Sequence, residues 1–186
     1  MSGHSKNSSL IITDSYIQID RKKYHIDCQS TTDGTMIIRM FEYDSQIAID
    51  SAVIEGNRLI VKFPNSAVLY LRSNSNTPDI MQVQIETPGG STSYDVHVIK
   101  INNYTINDIF DKELYFYIPF YIFTFEPSFG IIEKDKDRLE QLKDQYNDIV
   151  QRLDEACKNG KLTLYQESTI LELSQIVLDA IASKYE

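Results

Sequence analysis

Asp14 and Asp27 lie on either side of a charged stretch, Asp20-Arg21-Lys22-Lys23, within ITDSYIQIDRKKYHIDCQS. A turn centred between Asp20 and Arg21 makes this segment a hairpin with Asp14 directly opposite Asp27 on one face. Direct cross-strand neighbours have Cβ atoms roughly 4.5–5.5 Å apart, and like charges at that range repel. A divalent cation between them removes the repulsion. Mg²⁺ (or Mn²⁺) suits the place, because hard oxygen ligands and a few waters complete its shell. Gln29 projects from the same face as Asp27, since side chains alternate along a strand. Asp14, then Asp27-x-Gln29, is therefore a candidate metal centre. The same spacing also describes two solvated aspartates beside a hairpin.

Several elements must position these residues. DSYIQI and YHIDCQ are the two strands of the hairpin, and TMIIRMFEYDSQIAIDSAV follows as a helix with Met36, Ile37, Met40, Phe41, Ile47 and Ala48 at helical spacing. On that helix Arg39 and Tyr43 are four residues apart and share a face, either packing with their polar tips in water or reaching a bound substrate. RLIVKF, SAVLYL, MQVQIE and YDVHVIKI read as further strands, separated by the turn-forming FPNS, SNSNTPD and TPGGST. SAVLYL is nearly all apolar, as a strand covered on both faces should be.

The pattern changes after Tyr104. Thr105 and Asp108 have the spacing of a capping box that opens a helix at INDIFDKELYFYI. A charged helix starts at Glu133, with Leu139, Leu142, Tyr146, Ile149, Leu153 and Ala156 forming a heptad seam. Gly160 suits the left-handed position that ends it. Thr163 and Gln166 cap a last helix whose stripe is Ile170, Leu173, Val177 and Ile181. The short connection makes the two an antiparallel helical hairpin. Its stripes need cover from the sheet or from another chain.

With these elements in place, the chain resembles the PD-(D/E)XK nuclease superfamily, in its branch of recombination-promoting nucleases and transposase-related proteins. The resemblance runs from Ile12 over most of the chain. It is carried by YHIDCQS, MIIRMFEYD, FPNSAVLYLR, TPGG, IFDKELYFYIPFYIFTFE, the charged helix and KNGKLT. It implies a mixed-sheet α/β fold of restriction-endonuclease-like type with a C-terminal helical hairpin. It also implies that Asp14 and Asp27 bind the metal and that Gln29, in the place of a lysine, orients the attacking water. The activity implied is metal-assisted hydrolysis of DNA phosphodiester bonds. Two departures stand out: Asp27 occupies a position where Glu is usual, and the amide of Gln29 takes up no proton. The family core begins with a helix and a strand ahead of the hairpin, whereas thirteen residues precede Asp14 here. The expectation is an N-terminally truncated member. It acts alone, or is completed by an upstream polypeptide through the sheet edge or the helical hairpin, or is a non-catalytic remnant serving as an oligomerisation or protein-interaction module.

Composition sets the outer bounds. The chain has 186 residues, 42% of them hydrophobic and 24% charged, enough for one ordinary core with an appendage. We expect a sheet core over 1–104 and a helical extension over 105–186. The net charge of −9 is unevenly placed: residues 1–104 carry a net −2 and residues 105–186 a net −7. A local basic surface for DNA can therefore form from Arg21, Lys22, Lys23, Arg58, Lys62 and Arg72. The run Leu114–Phe125 contains Pro119 and is too short to cross a bilayer, so it reads as core or an oligomer interface. MSGHSKNSS lacks the apolar stretch of a signal peptide. Cys28 and Cys157, with the scattered His4, His25 and His97, show no zinc spacing. The expectation is a cytoplasmic protein with reduced thiols and no membrane partner. Neither a P-loop, nor a dinucleotide fingerprint, nor a nucleophile elbow is present.

Overall fold

A computed structural model describes residues 16–19, 22–31, 34–132 and 135–183. It divides into two compact units, one running up to Tyr70 and including Asn74–Ile99, the other comprising Leu71–Ser73 and the chain from Lys100 onward.

The first unit is a five-stranded sheet with one covering helix. Its strands are β1 (Tyr16–Ile19), β2 (Lys22–Gln29), β5 (Asn65–Tyr70), β6 (Ile80–Thr87) and β7 (Gly90–Lys100), in the spatial order β1-β2-β5-β7-β6. β1 is antiparallel to β2, β2 is parallel to β5, and β6 is antiparallel to β7, so the sheet is mixed. Parallel neighbours need a crossover. Here the crossover carries helix α1 (Met36–Asp50) and a separate two-stranded ribbon, β3 (Val53–Glu55) with β4 (Arg58–Ile60).

The sequence suggested a strand over RLIVKF, of which Arg58–Ile60 forms as β4, and a helix continuing through Val53. Instead α1 stops at Asp50, and Val53–Glu55 turns back at Gly56, whose φ of 61° favours glycine. The ribbon's strands pair only with each other. Short local pairing wins here because the ribbon's residues are largely exposed and have no core to join.

Burial fixes α1 on the sheet. Met36 and Met40 pack with Val68, Tyr70 and Val96, flanked by Met81, Val83 and Val98. Each buried methionine contributes about 2 kcal/mol of transfer free energy. Ile47 and Ala48 are buried as expected, whereas Phe41 is partly exposed and stacks on Phe63.

The second unit begins with α2 (Ile106–Asp111). Its capping box is complete: Thr105 Oγ1 accepts from the Asp108 N–H, and the Asp108 carboxylate accepts from the Thr105 N–H. The expected continuation of this helix through YFYI does not occur. Glu113 turns left-handed at φ 55°, and the N–H groups of Leu114 and Glu113 return to the carbonyls of Ile109 and Phe110, a Schellman stop. The apolar run then winds as a 3₁₀ helix, Tyr115–Thr124, with Pro119 inside. Proline has no N–H to give an α-helical ladder. The run buries Tyr115, Tyr117, Ile118, Pro119 and Ile122, as a core segment should. A further short turn, α3 (Phe129–Ile132), leads to the helical pair.

That pair is α4 (Lys136–Lys158) and α5 (Leu164–Ala182), both with side-chain N-caps, from Asp135 and Thr163. The expected start of α4 at Glu133 lies outside the described residues. Gly160 takes φ 72°, and the N–H groups of Gly160 and Lys161 reach Cys157 and Ala156 in a second Schellman stop. Of the heptad seam only Ile149, Leu153 and Ala156 are buried. On α5, Ile170 and Ile181 are buried but Leu173 is exposed, and Ser174 takes the inward place, its hydroxyl bonded to the Ile170 carbonyl. The cover for α5 comes from within its own unit, because it packs on the 3₁₀ run. No helix among the described residues is long and apolar enough to cross a membrane.

Candidate functional site

The hairpin register is the one expected: Tyr16 faces His25 and Ile19 faces Lys22. Asp14 lies outside the described residues, as does Arg21. On β2, His25, Asp27 and Gln29 share the face beneath α1, and their parallel neighbours on β5 are Ser66, Val68 and Tyr70. Two polar constellations form on this face.

The first centres on Asp27, which is 0% exposed. Arg39 Nη2 donates to its Oδ2 at 2.7 Å, and Gln29 Nε2 donates to its Oδ1 at 3.2 Å and to the Cys28 carbonyl at 3.2 Å. The structure thus brings together Asp27, Gln29 and Arg39. Tyr43 goes elsewhere, meeting the His25 ring edge-on with centroids 5.8 Å apart. Repulsion from a second carboxylate calls for a cation at Asp27. On the described residues the countercharge of Asp27 is the Arg39 guanidinium, which α1 lowers onto the sheet one turn after its start.

Sequence reasoning missed the second constellation. Asp44, on the inner face of α1, is buried and accepts three hydrogen bonds: from His25 Nδ1 at 2.8 Å, Ser66 Oγ at 2.7 Å and Tyr94 OH at 3.0 Å. A carboxylate only accepts, so the His25 proton facing it sits on Nδ1. His25 Nε2 is buried without a hydrogen-bond partner among the described residues. Burial, and then the charge and hydrogen bond of Asp44, hold the Tyr94 phenol well above the usual tyrosine range. A signal for this network was present in the sequence. Asp44 follows Met36 and Met40 at helical spacing, and a polar residue on an apolar stripe needs a partner.

The fit to a divalent ion is partial. Asp27 and the Gln29 side-chain oxygen are hard donors of the right kind. Both Asp27 oxygens, however, already accept N–H groups, and no cluster of three or more His, Cys, Asp or Glu residues occurs among the described residues. A complete ligand set needs Asp14.

The basic residues proposed for DNA divide. Lys22, Arg58 and Lys62 are exposed on the first unit. Lys23 Nζ contacts the Ile47 carbonyl at 3.4 Å. Arg72 is engaged within the second unit, bonded to Glu126 and stacked over Phe123 at 4.6 Å. Neither Cys28 nor Cys157 forms a disulfide among the described residues.

Compared with family models, with curated proteins and with solved structures, the chain matches none of them.

Proposed function

We propose that this chain is a metal-dependent DNA endonuclease domain with a restriction-endonuclease-like core of the PD-(D/E)XK kind, hydrolysing phosphodiester bonds. The observation that carries the reading is the convergence of Gln29 and Arg39 on the buried carboxylate of Asp27, on a strand joined to its parallel neighbour through α1. In this reading Asp14 and Asp27 hold Mg²⁺ or Mn²⁺. Such an ion, when bound, lowers the pKa of a coordinated water and neutralises phosphate charge. Gln29 holds the attacking water by hydrogen bonding and takes no proton from it. The Arg39 guanidinium offers a planar fork to a phosphate oxygen pair. Lys22, Arg58 and Lys62 attract the DNA backbone.

Relaxation of supercoiled plasmid in Mn²⁺ tests this. The wild-type chain nicks the plasmid, while Asp27→Ala and Asp14→Asn do not, with circular dichroism unchanged. No cleavage by wild type, together with no heat of Mg²⁺ or Mn²⁺ binding, defeats the reading.

A specific observation favours a second reading. With both Asp27 oxygens already satisfied by protein donors, the centre is chemically complete without metal, as in a non-catalytic remnant. Its function would then be association, through apolar residues exposed on α5 such as Leu173 and Ile176. Equilibrium sedimentation of a dimer that Leu173→Glu dissociates, with no metal binding, supports this alternative.

A further inference from the structure

We infer that the outer face of α5, with the groove beside it, is a docking site for a basic amphipathic helix of another protein. The inference rests on the association reading above, in taking this face as the contact surface, and adds the chemistry of the partner. Three observations carry it. First, α5 is apolar on two sides. Ile170, Ser174 and Ile181 are buried, whereas Tyr165, Leu173 and Ile176 are exposed and stand with Thr169 on a separate stripe, spaced four, four and three residues apart. A helix apolar on both sides calls for cover on both. Second, Tyr165, Thr169 and Leu173 of this stripe line a groove of about 340 Å³, together with Tyr115, Phe116 and Pro119 of the 3₁₀ run. A helix laid along α5 places its apolar anchors there.

Third, the charges around this surface have one sign. α5 carries Glu167, Glu172 and Asp179 and no Lys or Arg, and the 3₁₀ run is uncharged. Glu172 and Asp179 are exposed and lie four residues before and three after Ile176, so both flank the stripe. Glu113 stands at the rim of the groove, bridged to Lys161 at 2.9 Å. An isologous pairing of two copies through α5 brings acid against acid, which opposes association. A helix with Lys or Arg on either side of an apolar stripe meets the same surface with opposite charge.

Fluorescence anisotropy of a labelled peptide with the full chain tests this. The probe is a synthetic helix of about 18 residues, with Leu along one stripe and Lys on both flanks. Wild type is expected to bind it at least tenfold more tightly, on the order of one like-charge contact, than the same peptide with Glu in place of Lys. Leu173→Glu separates the groove from bulk charge, because it adds an acid while removing part of the apolar wall. It is expected to weaken binding of the Lys peptide about tenfold, the scale of one anchor position. Equal or tighter binding by Leu173→Glu overturns the inference, as does equal binding of the two peptides to wild type. Ile176→Glu, at an exposed place on the same stripe, serves instead if Leu173→Glu does not fold. A dimer that Leu173→Glu dissociates, with neither peptide bound, overturns the inference and leaves the association reading standing. A monomer that binds neither peptide removes both.

Discussion

Asp44 Oδ1 lies 2.8 Å from His25 Nδ1, with both side chains fully buried between α1 and β2. Together with the Arg39–Asp27 pair, this contact gives α1 two polar anchors on the same strand, two residues apart. Apolar packing of Met36 and Met40 resists lifting of the helix. The polar anchors also resist sliding or rotation, because each carboxylate needs its donors at fixed places.

Asp44→Ala is expected to lower stability by about 3 kcal/mol, since it leaves two buried donors and one half-buried donor without an acceptor. Tyr94→Phe removes one donor of three and is expected to cost about 1 kcal/mol. Urea denaturation checks both. A loss below that of Tyr94→Phe for Asp44→Ala would show that the network contributes little.

Removal of Arg39 alone leaves Asp27 buried without its countercharge. Arg39→Ala is expected to cost about 2 kcal/mol, less than the roughly 3–5 kcal/mol for breaking a fully buried pair, because the guanidinium is partly exposed. Arg39→Ala combined with Asp27→Asn is expected to recover much of that loss. A double-mutant cycle measures the coupling, and simple additivity of the two changes would contradict it.

Alkaline pH should destabilise the fold through its buried and half-buried tyrosines. Burial raises Tyr94, Tyr117, Tyr121 and Tyr146 above the ordinary value of 10.0, Tyr117 to about 12. A raised folded-state pKa means that the unfolded chain loses its protons first. The stabilisation is therefore complete below about pH 10 and is lost as pH climbs through the raised values. Tyrosinate absorbance should rise later in the folded protein than in the same chain in urea. Coincident titrations in the two states would refute this.

Two Schellman stops allow a paired test. Gly160→Ala is expected to destabilise by about 1 kcal/mol, because a Cβ is strained at φ 72°. Glu113→Gly is expected to stabilise by about 0.5 kcal/mol, relieving φ 55° and giving up only an exposed bridge to Lys161. Thermal unfolding checks the opposite signs, and a decrease for both would mean that the Glu113–Lys161 bridge outweighs the backbone strain.

These stops show where local chemistry was readable. Gly160 announces its stop, since glycine is the residue that tolerates the left-handed region. Glu113 makes the same stop with nothing in its side chain to mark it, so IFDKELYFYI reads as one helix. The caps at Thr105 and Thr163 were legible because capping requires particular side chains at fixed spacing. Strand β3 was not, since its first residue, Val53, falls at the end of the segment that reads as helix and the chain turns back only at Gly56. The burial of Ser174 in place of Leu173 depends on which face of α5 meets the 3₁₀ run.

What the sequence by itself determined is most of the local elements and the hairpin register from Tyr16 to His25, because strand alternation, capping spacing and turn residues act within a few positions of the chain. The partners of Asp27 and Asp44 were decided only by tertiary structure. A crossover helix laid on a mixed sheet selects which carboxylate meets Arg39 and which meets His25, Ser66 and Tyr94. Those residues are separated by 12 to 50 positions along the chain, and no local pattern encodes a contact at that distance.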